Sequence, residues 1–334
     1  MNENPDAPVG RFALQSPRLL TATPRAILNM GPQALLDGIR MSEGRTITAV
    51  ARVRGPNACD GVSNMELCAA FGADIVALGL YDPHNPYFPG LPNKVQLEPD
   101  DTILAQVQAD LGRGWTLREV RELVGRPIAA ALYGTETSFP DQMEASFVKA
   151  VATVENARLL ADQGADIIQV MDWLAEPDVL ADRIRDIKRE VGDHAIVAFA
   201  RPNGWGLFGS FAPREAITPT EIATLARAGA QIIEIPAVGT LPGTTPELVG
   251  SWVSAIHEAG SLSNLWIASS QEGADTDTIR AIAWGSKQAG ADIITISDVG
   301  LTESVPDPEN ILALSIAIRG RRHTYRRMAF STHR

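Results

Sequence analysis

One short phrase recurs four times in the chain and constrains the fold more than any other feature. Its copies begin at Phe71, Gln163, Ala228 and Ala289, and each continues Gly-Ala-Asp-Ile, with Gln replacing Asp in the third copy. Glycine adopts the left-handed conformation that ends many helices, and a β-branched run behind it is typical of a buried parallel strand. The phrase therefore predicts a helix end followed by a strand at four places.

The glycines of the phrase are separated by 92, 65 and 61 residues, so each gap has room for two strand-helix units. The missing strands are predicted at apolar runs, residues 46–52, 128–133, 195–201 and 265–270. Helices are predicted near residues 62–71, 142–163, 177–190, 218–228, 246–259, 276–288 and 308–319. Strict alternation of this kind predicts an α/β fold, a (β/α)8 TIM barrel.

The barrel is predicted to be a single domain over residues 21–320, after an N-terminal extension (1–20) and before a basic tail (321–334). Its excess length lies mainly in a Pro-rich and helical insertion, about residues 81–126, between the second and third strands. An insertion beside a barrel mouth is expected to be a lid or a subunit contact, and we expect a homo-oligomer. The arginine-rich tail is expected to dock on acidic surface of its own chain or of a neighbouring subunit.

Net charge and composition exclude some classes of binding partner for this protein. The chain has 40 Asp plus Glu against 29 Lys plus Arg, a net charge of -11, which argues against a nucleic acid or an anionic membrane. Without an apolar run of the roughly 18 residues that a membrane helix requires, and without a signal-peptide pattern, we expect a cytoplasmic protein. The two cysteines, Cys59 and Cys68, are expected to be unpaired, and no sequence motif indicates a nucleotide cofactor.

Alternation along the strands that follow the phrase predicts which side chains face the barrel interior. Aliphatic residues occupy one parity, so the other parity must point inward and should bring Gln169, Glu234 and Thr295 into one layer. Burial would raise the pKa of Glu234, which suits a general acid or base. The alternative is a structural Glu234 that is hydrogen-bonded to Gln169 and Thr295.

Residues just beyond the strands are the next candidates, because barrel enzymes place their sites at the C-terminal ends of strands. Besides Glu234, the catalytic candidates are Asp82, His84 and Asp172. The substrate-binding candidates lie at strand ends and in the loops after them: Arg52, Arg54, Arg201, Asn203, Ser269, Ser270, Gln271, Asp298 and Gly300. The arginines offer planar forks that suit a carboxylate or phosphate, and parity leaves open which of Arg52 and Arg54 faces inward. Alternatively, several of these side chains cap helices or turns.

Asp82 and His84 are also the candidate metal ligands. Their oxygen and nitrogen atoms, completed by another strand-end carboxylate, would suit a loosely held Mg2+ or Mn2+. The chain has no closed set of Cys and His ligands of the kind that structural zinc requires. The expected cofactor is therefore Mg2+ or Mn2+, if a metal is used at all.

Four stretches of the chain resemble one bacterial barrel family, which is labelled phosphoenolpyruvate phosphonomutase-like. They are DGVSNMELCAAFGADIVALGLYDPHNP, LGRGWTLREVRELVGRPI, SSQEGADTDTIRAIAWGSKQAGADI and PENILALSIAIRGRRHTYRRMA, and the similarity runs from about residue 17 to the end. The resemblance implies a Mg2+-bound oxyacid whose C–P or C–C bond is cleaved or rearranged. The chain lacks the EDK-containing loop of the mutases and the KKCGH motif of the lyases, so no catalytic residue is carried over. The segments MDWLAEP and RPNGWGLFG also depart from the family's Gly-rich loops, which indicates a specialised substrate.

Together these features predict an enzyme acting on a small phosphorylated or carboxylated metabolite, a lyase or isomerase that uses acid–base catalysis with Mg2+ assistance. Glu234 would be the acid or base, Arg201 and Arg52 anion clamps, and Asp82 with His84 metal ligands or a proton-transfer pair. Two alternatives stay open. One is a hydrolase on the same scaffold, and the other is a non-catalytic sensor or assembly subunit that binds the same anion.

Overall fold

Eight parallel strands close into a barrel in chain order, which confirms the predicted (β/α)8 TIM barrel. The computed structural model describes residues 17–95, 111–134, 148–201, 217–268, 271, 273–297, 299–300 and 302–334. The strands are β1 (Thr46–Arg52), β2 (Ile75–Gly79), β3 (Ile128–Tyr133), β4 (Ile167–Met171), β5 (Ile196–Ala200), β6 (Ile232–Pro236), β7 (Leu262–Ala268) and β8 (Ile293–Ser297). Strand β7 begins before the predicted apolar run, because the polar Ser263 and Asn264 also pair with its neighbours.

Helices alternate with the strands. They are α1 (Pro24–Leu28), α2 (Pro32–Arg40), α3 (Asn64–Ala70), α4 (Leu117–Val124), α5 (Val154–Gln163), α6 (Pro177–Val191), α7 (Pro219–Ala228), α8 (Pro246–Glu258), α9 (Thr276–Gln288) and α10 (Pro308–Ala329). The phrase glycines Gly164 and Gly229 end α5 and α7 in the left-handed conformation, with φ of 102° and 119°, as predicted. Helix α5 is shorter than predicted because the Thr153 side chain caps its N-terminus.

The core has two parts that lie on opposite faces of the strands. Ile168, Ile233 and other residues of the same parity pack against the surrounding helices. Residues of the other parity, such as Ile232, pack inside the barrel together with Leu35 and Ile39 of α2. Helix α2 therefore covers the N-terminal end of the barrel, and the C-terminal end is left as the place for a site.

The C-terminal helix holds a buried charge cluster. Gly320 interrupts α10 with a φ of 75°, and the helix continues beyond it. Arg319 and Arg327, one on each side of this kink, lie 2.6 Å and 2.8 Å from the carboxylate of Asp74, just before β2. All three side chains are buried, so the end of the chain is tied to the barrel by ion pairs.

The insertion between β2 and β3 is described at residues 81–95 and 111–126, where α4 begins with a capping box formed by Thr116 and Glu119. The rest of the insertion lies outside the described residues, as do residues 1–16 of the predicted N-terminal extension. In the part of the chain that the structure describes, no helix has the length and apolar character that crossing a membrane requires.

Candidate active site

A layer of polar side chains crosses the barrel interior. The strand register turns Gln169, Glu234 and Thr295 inward at one level, as predicted, and all three are buried. Gln169 Nε2 donates to both carboxylate oxygens of Glu234, at 3.0 Å and 2.9 Å. The Thr295 hydroxyl instead donates to Asn264 Oδ1, over 2.8 Å. Asn264 also acts on Glu234 as a hydrogen-bond donor. The predicted bond between Gln169 and Glu234 is therefore present, whereas Thr295 is linked to Glu234 through Asn264 rather than directly.

Glu234 is a buried carboxyl group, only 1% exposed, without a charged partner among the residues that set its pKa. Burial raises the pKa of Glu234 to about 7, although the side chains of Gln169, Asn264 and Trp266 act in the opposite direction. The buried indole N–H of Trp266 acts on the Glu234 carboxylate as a hydrogen-bond donor. A carboxyl group with this pKa exists in both protonation states near neutral pH, as a general acid or base requires.

One layer of side chains lies between Glu234 and the upper rim of the barrel. The register gives its members as Val50, Ala131, Ala200 and Trp266. Trp266 is the largest of these side chains, and the inward residues Met171 and Pro236 follow at the ends of β4 and β6. Access to the carboxyl group from the mouth therefore depends on these overlying side chains.

At the rim, Arg52 and Tyr133 contact backbone segments in a strained conformation. Arg52 faces the interior, because its Cγ would lie 3.2 Å from a Cβ placed on Gly79. Its guanidinium donates to the carbonyl of Glu303, whose φ is 56°, and the Tyr133 hydroxyl accepts from the N–H of Leu80, whose φ is 60°. Positive φ is uncommon for residues other than glycine, and such strain concentrates at functional sites.

Arg54 lies farther out, near a buried carboxylate. Asp82 is 3% exposed, and its Oδ1 accepts from the backbone N–H of His84 over 3.0 Å. Its Oδ2 lies 3.6 Å from Arg54 Nη2 and 3.9 Å from Lys149 Nζ. Both separations are ion-pair distances but longer than hydrogen bonds. Asp82 therefore faces two positive charges at the barrel mouth.

The surroundings of Asp82 and His84 do not fit the predicted Mg2+ or Mn2+. Arg54 Nη2 and Lys149 Nζ lie within ion-pair distance of Asp82 Oδ2, and their positive charges would repel a metal ion bound to that oxygen. His84 Nε2 is 2.7 Å from Asn156 Oδ1 and is engaged in that hydrogen bond. Within the described ranges, no three His, Cys, Asp or Glu side chains form a group that could hold a metal ion.

Two other predicted site residues have structural partners. Arg201, predicted as an anion clamp, is buried; its Nη1 lies 2.7 Å from Glu221 Oε1, and its Nε donates to the carbonyl of Asp172. Glu221 lies in the first turn of α7, so this pair joins the end of β5 to that helix. Asp172 accepts from two backbone N–H groups just before α6 and pairs with Arg183 over 2.5 Å. These contacts match the alternative in which strand-end polar residues support loops and helices.

The loops after β6 and β7 form a pocket of about 540 Å³ at the same end of the barrel. It is lined by residues 239–245 and by Gln271, whose Nε2 donates to the carbonyl of Thr240. At Gly300, a Cβ would lie 1.9 Å from Asp307 Oδ1, so this carboxylate stands where the usual barrel phosphate site would need an anion. Four predicted binding residues lie outside the described residues: Asn203, Ser269, Ser270 and Asp298.

Sequence reasoning missed three residues of the mouth. The sequence predicts a helix near residues 142–163 that includes Lys149. In the structure, Lys149 lies in a short 3-10 turn (Val148–Ala150) beside Asp82. Tyr87 and Arg113 belong to the insertion, where the guanidinium of Arg113 lies 5.0 Å from the centre of the Tyr87 ring. The Pro-rich composition of that segment indicates a loop but not the side of the barrel that it covers.

The family comparison identifies one match. The model of a family described as "Domain of unknown function (DUF7916)" matches residues 20–334 of the chain. No curated protein is similar enough in sequence to match. The family description gives no activity, and the phosphonomutase-like resemblance therefore stays a prediction.

Solved structures from Rhizobium etli pyruvate carboxylase are similar in part. The complete multifunctional enzyme is 16% identical, with 92% of this chain and 30% of that chain covered and a TM-score of 0.47. The carboxyl transferase domain with pyruvate is 14% identical, with coverages of 98% and 55% and a TM-score of 0.49. The same domain with pyruvate and biocytin is 16% identical, with coverages of 93% and 52% and a TM-score of 0.49. The chain spans between about a third and a little over half of these proteins.

Proposed function

The chain belongs to the DUF7916 family, and we propose that it is an enzyme that acts on a small anionic metabolite by acid–base catalysis. The observation that carries the proposal is Glu234, a carboxyl group inside the barrel whose pKa is raised to about 7 by burial. Shifted carboxyl groups in barrel interiors are suited to proton transfer near neutral pH. The substrate is a phosphorylated or carboxylated compound, and the reaction is that of a lyase or isomerase.

In its ionised form, Glu234 takes a proton from the substrate, and in its protonated form it returns one. The amide of Gln169, which donates to both carboxylate oxygens, fixes the orientation of the carboxyl group. Proton abstraction next to a carboxylate or phosphonate leaves negative charge on the substrate, and this charge is the step that needs stabilisation.

Positive side chains at the mouth support the choice of an anionic substrate. Arg52 points into the barrel, and Arg54 and Lys149 stand around Asp82 at the same end. An anion held there would have its reactive carbon directed down the barrel axis toward Glu234. The proposal uses no metal, because the groups around Asp82 and His84 do not fit one. We also propose that the chain forms a homo-oligomer.

The test is a search for conversion by the wild-type chain. A panel of phosphorylated and carboxylated metabolites is first screened for a rise in melting temperature, since a ligand of the native state stabilises it. Compounds that bind are then incubated with the protein in D2O and followed by proton NMR. We expect loss of a C–H signal or appearance of a product. Binding without any conversion across the panel would contradict the enzyme and favour the anion sensor.

A further inference from the structure

Three cationic side chains lie at the mouth beside the insertion, and among the described residues only Asp82 is a carboxylate in ion-pair range of them. We infer that Arg54, Arg113 and Lys149 form the subsite that binds the doubly charged oxyanion of the substrate, a phosphate or a pair of carboxylates. This inference rests on the proposed function, since it locates the anionic part of the same substrate. It moves the anion away from Arg201, which the sequence favours but which is paired with Glu221.

The local charge count favours an anion. Within the described residues, Asp82 is the one carboxylate in ion-pair range of Arg54 and of Lys149, and none is in that range of Arg113. Three positive charges thus face one negative charge. Neither cation touches Asp82 closely enough for a hydrogen bond, at 3.6 Å and 3.9 Å. Arg54 also donates a hydrogen bond to Tyr87, so the donors that remain for a second acceptor are its other N–H groups and those of Lys149.

Arg54 and Arg113 are connected through one aromatic ring. Tyr87 lies next to Arg54, and Arg113 stacks over its ring at 5.0 Å. Arg113 is held in place by a 2.5 Å hydrogen bond from its Nη1 to Asn85 Oδ1. Arg54 Nε is buried and has no hydrogen-bond partner among the residues described. A buried donor without a partner costs free energy, so the hydrogen-bonding capacity of Arg54 is not fully used within the described residues.

The balance of charge at the subsite favours a dianion over a single carboxylate. One carboxylate, that of Asp82, already faces Arg54 and Lys149, and the remaining charge of about two units matches a phosphate or two carboxylates. Lys149 is 62% exposed and Arg54 28% exposed, so both can be reached from solvent. The negative charge of Asp82 would repel the bound anion and so disfavour anions with more than two charges.

Isothermal titration of the full chain tests the subsite, with inorganic phosphate and malonate as separate probes at constant low ionic strength. We expect at least one probe to bind, and Lys149→Gln and Arg113→Gln each to weaken it about tenfold or more. Asp82→Asn keeps the acceptor for the His84 N–H but removes the negative charge, and it should tighten binding severalfold. Arg280→Gln removes an exposed cation on α9, and binding should match wild type.

Each outcome decides the inference. Binding of phosphate alone assigns a phosphorylated substrate, and binding of malonate alone assigns a dicarboxylate. Wild-type affinity in both Lys149→Gln and Arg113→Gln, or no binding of either probe by wild type, would overturn the subsite. Since these titrations measure affinity and not turnover, a failed subsite can be distinguished from a failed acid–base proposal, which depends on conversion.

Discussion

Gln169 and Glu234 form a hydrogen-bonded pair in the middle of the barrel, in which one amide nitrogen donates to both carboxylate oxygens. They come from neighbouring even-numbered strands, β4 and β6, and β5 between them contributes only small inward side chains at this level. The pair is therefore a direct product of the alternating layers of a (β/α)8 barrel. Its chemistry follows from burial, because no cation offsets the cost of ionising Glu234.

The first prediction concerns stability and pH. The pKa of Glu234 is about 7 in the folded chain and has an ordinary value of 4.5, so the folded state binds the extra proton between these values. The contribution of Glu234 is therefore fully present below pH 4.5 and is lost as the pH rises through 7. Urea unfolding across this range should show wild type losing up to about 3 kcal/mol relative to Glu234→Gln. A constant difference between the two chains, or the same trend in the exposed control Glu258→Gln, would contradict the assignment.

The second prediction concerns the partner of Glu234. Gln169→Leu removes the donor that stabilises the ionised carboxylate, so the pKa of Glu234 should rise further, by about one unit. The midpoint of the pH dependence of stability should shift upward by the same amount. Gln288→Leu, an exposed change at the end of α9, serves as the control and should leave the midpoint unchanged. An unchanged midpoint in Gln169→Leu would contradict the claim that the Gln169 amide lowers the pKa of Glu234.

The third prediction concerns the C-terminal helix. Asp74→Asn leaves Arg319 and Arg327 buried without their counter-charge, and loss of one partner of a buried pair costs about 3–5 kcal/mol. The free energy of unfolding in urea should fall by this order. Asp277→Asn breaks an exposed pair with Arg280 and should have no measurable effect. Equal stability of the two variants would show that the buried cluster does not tie the chain end to the barrel.

The fourth prediction separates a structural arginine from a binding one. Arg201→Gln leaves the buried carboxylate of Glu221 without its cation, so the melting temperature should fall by several degrees. Its affinity for phosphate or malonate should change much less than that of Lys149→Gln. A variant with normal stability but weakened anion binding would instead support the sequence expectation that Arg201 clamps the substrate.

The repeated phrase was sufficient to predict the barrel, because glycine at a helix end and a β-branched run after it are local signals. Inward orientation of Glu234 was likewise predictable, since parity within a strand is fixed by alternation. The hydrogen-bond partners of these inward side chains could not be predicted from the sequence. Thr295 could reach either Glu234 or Asn264, and only the lateral register between β7 and β8 decides for Asn264.

The roles of strand-end residues were the hardest feature of the site to predict from the sequence, because they depend on contacts between distant parts of the chain. Arg201 and Glu221 are separated along the chain and meet only when α7 packs beside β5, so spacing gives no indication of the pair. Lys149 lies beside Asp82 because Val151, two residues later, forms a parallel bridge with Tyr133 at the end of β3. Long-range contacts of this kind decide whether a cation is structural or available to a ligand.

The central claim is that Glu234 transfers the proton, and the most direct measurement compares turnover of Glu234→Gln with wild type on the compound that the D2O assay identifies. Gln preserves the volume and the hydrogen-bonding capacity of the side chain but cannot exchange a proton. The account predicts that kcat falls about 10²- to 10⁴-fold while affinity for the anion, measured by titration, is retained. Wild-type kcat in Glu234→Gln would contradict the claim.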